Sequence, residues 1–139
     1  MKKGHEDIVT FLPNKADITI QIFKSTLDNF KLWKEQFSDI HIDDKPIKEY
    51  YDVMAFNDCE KSIKMAYDSL MDWRIPQFRS AVIMADVDLD GLLNILNIIL
   101  DKMDKDSVPY HSLSTLIDRF IFTKNQVKQN SKWFEDHCI

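Results

Sequence analysis

MADVDLDGLLNILNIILDKM, residues 84–103, is the stretch on which the fold turns. Aspartates at 86, 88 and 90 followed by Gly91 put carboxylates at positions one, three and five and the glycine at six, the order in which a calcium-binding loop presents its oxygens. Leu93 falls at position eight. Position twelve is Asn97, which has no carboxylate to grip the ion with two oxygens, and the segment 36 residues upstream, YYDVMAFN (50–57), offers no loop to pair with. Asp86, Asp88 and Asp90 are therefore expected in an acidic linker whose side chains cap the helix LLNILNIILDKM, 92–103. A metal-dependent hydrolase using the same three aspartates rests on that acidic run alone.

Working outward, apolar groups recur at helical spacing over 5–12 and 20–37, separated by PNKADIT, where Pro, Asn and Asp predict a break. SDIHIDD (38–44) interrupts again. Pro46, Ile47, Tyr50, Tyr51 and Met54 then predict a helix face, with Asp43 or Asp44 as its cap. Asn57 or Asp58 starts the next helix, with Ile63, Ala66, Tyr67 and Leu70 on its face, and DWRIP ends it. Phe78, Ala81, Val82 and Ala85 form a further face. DKDSVPYHS separates the longest apolar stripe from a helix carrying Leu113, Leu116, Ile117 and Phe120.

The last apolar residues before three of these breaks are Phe37, Leu70 and Met103, each 33 residues after the one before. Five residues beyond each lies a β-branched residue, Ile42, Ile75 and Val108, with Pro within the next four. Upstream, eight of the nine residues at three, four and seven positions before the anchors are apolar, Lys34 being the exception. The expectation is a repeated unit of helix, short loop, extended residue and helix.

Composition narrows the function. The 139 residues suffice for one domain or two small lobes, and 18 basic against 23 acidic side chains give a net charge of −5, so no nucleic-acid partner is expected. Two Gly and four Pro leave little material for phosphate loops or barrel corners, and helices must carry the chain. Cys59 and Cys138 make neither a disulfide framework nor a zinc spacing. No leader is visible, and LLNILNIIL (92–100) is too short to span a bilayer, so a cytoplasmic location and no membrane span are expected. His5, His41, His111 and His137 are scattered, Cys138 beside His137 lacks a nucleophile's surroundings, and Asp101, Asp104 and Asp106 suit a solvated turn. No enzyme, metal or cofactor is expected.

The 33-residue grammar, with NDCEKSIKMAYDSL (57–70) and short, ligand-poor loops, resembles a divergent run of EF hands in the calmodulin and myosin light chain superfamily. It is most similar to the myosin-tail-binding light chains of apicomplexan parasites. The resemblance implies a mainly α architecture of helix-loop-helix repeats with very short paired strands in two lobes, 1–56 and 57–123, followed by a tail, 124–139. Ile75 and Val108 would pair as antiparallel strand residues. It further implies a calcium-independent, non-enzymatic module that clasps an amphipathic helix of a protein partner, rich in Lys and Arg as myosin neck and tail segments are. Phe23, Leu27, Ile63, Met65, Met71, Phe78, Val82, Leu96, Ile99, Met103, Leu116 and Phe120 are the apolar residues expected to line that groove.

Two alternatives stand beside it. GHEDIVTFLPNKADI and VPYH resemble parts of an ankyrin repeat, whose interval is also 33, although five Ala and two Gly are few for such close-packed helices. A small helical structural or inhibitory protein of viral or phage origin is suggested by the heavy use of Lys, Ile, Asn and Asp.

Overall fold

The computed structural model describes the backbone of residues 2–51 and 53–137 and the side chains of 18–51, 53–129, 131 and 132. Its helices are α1 (Lys2–Ser38), α2 (Ala55–Met71), α3 (Ile75–Asp101) and α4 (Val108–His137). Strands β1 (His41–Ile42) and β2 (Lys45–Pro46) and a single 3-10 turn, Ile47–Glu49, connect α1 to α2.

Local chemistry accounts for the boundaries. Asp43 and Asp44 have φ of 51° and 67°, and this pair of left-handed residues makes the two-residue turn that sets His41 opposite Pro46 and Ile42 opposite Lys45. Aspartate tolerates that region better than most side chains. At the end of α2, Trp73 adopts φ 58°, its amide reaches the Leu70 carbonyl (3.1 Å), and the Arg74 amide reaches Ser69 (2.8 Å). These two bonds close a Schellman motif with tryptophan where glycine is usual. Pro76 sits in the first turn of α3. Before α4, Ser107 Oγ accepts from the Tyr110 amide (3.3 Å) and acts as the N-cap.

The helices pack in a ring, α1 on α2, α2 on α3, α3 on α4 and α4 on α1. An aromatic cluster joins three of them. Phe30 and Phe37 of α1 lie 6.2 and 4.9 Å from the Phe56 ring of α2, and Phe120 of α4 lies 5.4 Å from Phe30 and 5.7 Å from Phe56. Phe23 meets Phe78 edge-on at 5.3 Å and closes the α1–α3 diagonal. The buried cluster is continuous from Phe23 through Ile63, Leu89 and Leu96 to Val127, and so draws on all three segments that the EF-hand resemblance separates.

Several expectations are corrected. The acidic run 86–91 is no linker, because it lies inside α3 and the apolar period Val82, Ala85, Leu89, Leu92, Leu96 continues through it to the core. One interior glycine costs a helix only about 1 kcal/mol, against five buried side chains on that face. α1 likewise runs through PNKADIT without a break. In place of the expected α-helix face, Pro46 ends a strand and Ile47–Glu49 forms a 3-10 turn, with Ile47 fully buried and its amide bonded to the Ile40 carbonyl (2.7 Å). Ile75 and Val108 are the first residues of α3 and α4, so they do not pair, and the described strands pair only within one local hairpin. The breaks after Phe37 and Leu70 and just before Met103 are real helix ends. The helices between them have 37, 17, 27 and 30 residues, which gives neither a repeated unit nor an ankyrin stack.

Candidate interaction surface

α3 turns two faces in opposite directions. With 3.6 residues per turn, Val82, Ala85, Leu89, Leu92, Leu96 and Ile99 share the side that enters the core. Met84, Val87, Gly91, Ile95 and Ile98 share the other, and all five are exposed. The four side chains are 51, 63, 38 and 56% accessible, with Ile83 on the edge of the face at 61%, so two apolar pairs flank Gly91 on one side of the helix. Met65 of α2, one turn beyond the Ser62 that bonds to Asp88, is also exposed.

The three aspartates frame this line without entering it. Ser62 Oγ donates to Asp88 Oδ2 at 2.5 Å, tying the carboxylate to α2. Lys124 of α4 donates to Asp90 and lies 4.0 Å from Asp86. The hydrogen bond to Asp90 is the main cause that lifts the Lys124 ammonium above its ordinary value. Successive odd-numbered residues on a helix are about 200° apart, so the carboxylates diverge to two neighbouring helices and form no common ligand set. Among the described residues no group of three His, Cys, Asp or Glu side chains is arranged to hold a metal ion.

Of the twelve residues expected to line a groove, nine are core: Phe23, Leu27, Ile63, Phe78, Val82, Leu96, Ile99, Leu116 and Phe120. Met103 is half-buried against them. Met65 and Met71 are exposed on α2, with Trp73 exposed just beyond. Helical spacing finds apolar faces without saying which way they point, and here most point inward. Ile83, Met84, Val87, Ile95 and Ile98 were missed because the expected break at 86–91 cuts their line in two. Read as one helix, the i, i+3, i+7 spacing would have found them.

The remaining polar features are modest. A cleft of about 530 Å³ lies between the hairpin and α4, lined among others by Gln36, His41, Ser112, Thr115 and Arg119. Arg119 Nη1 donates to Gln36 Oε1 (2.8 Å) and His41 Nδ1 lies 2.8 Å from the Asp39 carbonyl, so both side chains already have partners. Cys59 is fully buried, and burial, with the Asp88 and Asp58 carboxylates adding to it, pushes its thiol up to about 12. A thiol so held stays protonated and is a poor nucleophile. No described helix is long and apolar enough to cross a membrane. Comparison of the chain with family models, with curated proteins and with solved structures finds no match.

Proposed function

We propose that this chain is a non-enzymatic protein-binding module that holds an amphipathic helix against the outward face of α3. The observation that carries this reading is the line of Met84, Val87, Ile95 and Ile98, four exposed apolar side chains on a helix whose opposite face is fully committed to the core. Its chemistry is that of a helix-on-helix contact, with apolar anchors at helical spacing and flexible Met84 and Met65 to adapt to the ligand. The resemblance to light chains suggests the same class of partner. The route differs, because nine of the twelve residues that would line a clasp already fill the core, and docking on α3 requires no opening of the bundle. The chain's −5 charge suits a foreign helix with basic flanks, which would speed its approach more than it tightens the complex. No calcium dependence is part of this function, since the aspartates serve helix packing.

The test is a titration of the labelled protein with a basic amphipathic helical peptide, followed by amide shifts. Shifts concentrated on 84–98 and lost in Val87→Arg or Ile98→Arg are expected. If no peptide binds below about 100 μM, where the free energy is only roughly −5.5 kcal/mol, the reading fails. A purely structural role, the second reading, is favoured by the continuous core and makes the α3 face inert to every peptide.

A further inference from the structure

The outward face of α3 is symmetrical about Gly91. Counted from that residue, four of its five exposed apolar side chains stand at −7 (Met84), −4 (Val87), +4 (Ile95) and +7 (Ile98), and the fifth, Ile83 at −8, lies on the edge of the face. Few partners can match such a pattern better than the pattern itself. A second α3 laid antiparallel, with a two-fold axis at Gly91, brings Met84 level with Ile98 of the other copy, Val87 level with Ile95, and Gly91 level with Gly91. This is the self-complementarity that an isologous dimer requires.

The geometry points to a second copy of this chain as the occupant of the face, in a two-fold dimer centred on Gly91. The inference rests on the docking face proposed above and gives it, in the absence of a foreign helix, a second copy of the chain as occupant. Gly91 is exposed, and a Cβ added to it would meet nothing within 4 Å, so the chain's own packing gives no reason for a residue that weakens the helix there. At the crossing point of two helices the missing side chain lets the backbones approach. Asp86 and Asp90 are drawn toward Lys124 of the same chain, and Asp88, bonded by the neutral Ser62 hydroxyl, comes level with the uncharged Asn94 of the other copy. The four apolar side chains offer on the order of 400 Å² per chain, the size of the largest patch on an ordinary monomer and about half of the ~800 Å² per partner that stable pairs bury. The dimer is accordingly a reversible one, and a foreign helix on the same face competes with it.

Sedimentation equilibrium of the full chain, from about 1 μM to 1 mM, tests this. The mass should rise with concentration from 16.4 kDa toward twice that value. Gly91→Glu and Gly91→Lys, each placing like charges face to face on the axis, should weaken association at least tenfold without lowering the melting temperature. An equimolar mixture of the two variants should restore it, because only a two-fold through this position sets one substitution against the other. A wild type that keeps the single-chain mass at 1 mM, a Gly91→Glu variant that associates like wild type, or a mixture that stays monomeric each overturns the dimer. The peptide titration then separates the two failures. Peptide shifts on 84–98 in a monomeric protein leave the docking face standing, and their absence removes it as well.

Discussion

The Ser62 hydroxyl and the Asp88 carboxylate meet at 2.5 Å across the α2–α3 interface, halfway along the most acidic stretch of the chain. This contact and the approach of Lys124 to Asp86 and Asp90 explain how DVDLDG can lie within a helix. Asp88 and Asp90 accept hydrogen bonds from neighbouring helices and Asp86 faces Lys124 at 4.0 Å, while the apolar residues between them keep the period that the core requires.

Ser62→Ala should therefore cost more than the loss of an exposed serine. It leaves a half-buried carboxylate without its donor, a penalty of about 1–3 kcal/mol. Urea unfolding of Ser62→Ala, Asp88→Ala and the double variant measures the coupling. Additive costs would show that the bond contributes nothing beyond packing.

Calcium should leave the protein unchanged. An ion needs six or more oxygens around it, and here the three carboxylates point to two different helices. The melting temperature in millimolar calcium and in chelator should agree within error. A rise of several degrees, abolished by Asp86→Ala or Asp90→Ala, would mean that the run can leave the helix and form a loop.

That run also marks how far the sequence could be read. Wherever a break signal coincides with a loss of apolar period, as at DWRIP and DKDSVPY, the helix does end. At PNKADIT and DVDLDG the local signal is just as strong, yet the helix continues. For DVDLDG the reason is that Ser62 and Lys124, 26 and 34 residues away from their partners, supply what the local sequence lacks. Propensity and capping rules see only near neighbours. The Asp43–Asp44 turn was legible in principle from two consecutive residues that tolerate positive φ, but Pro46 beside them suggested a helix start instead. The candidate face on α3 was hidden by the same error that cut the helix.

Neighbouring residues on α3 should respond oppositely to truncation. Leu96 and Ile99 are 0 and 2% accessible, whereas Ile98 is 56% accessible. Leu96→Ala and Ile99→Ala should each cost about 2–5 kcal/mol through lost burial and an incompletely filled cavity. Ile98→Ala should change the stability of the isolated chain by less than about 0.5 kcal/mol. Denaturant unfolding at a concentration low enough to keep the chain monomeric makes the comparison. Equal costs at Leu96 and Ile98 would place the outward face within a core.

Cys59 provides a pH-dependent check on the α2–α3 interface. Its thiol, pushed from 9.0 up to about 12 by burial first and the nearby Asp88 and Asp58 carboxylates second, remains protonated in the folded chain. In the unfolded chain it ionises near the ordinary value, so between about pH 9 and 12 the unfolded state binds fewer protons. The contribution of this group to stability is thus fully present below pH 9 and declines as the pH rises toward 12. In a Cys138→Ser background, where Cys59 is the only thiol, modification by a thiol reagent at pH 8.5 should be slow in buffer. It should accelerate in step with unfolding as urea is added. A reaction in buffer as fast as that of a free thiol would show that α2 and α3 separate readily at this point. Falling stability from pH 9 to 11, absent in Cys59→Ala, would identify the thiol as the responsible group.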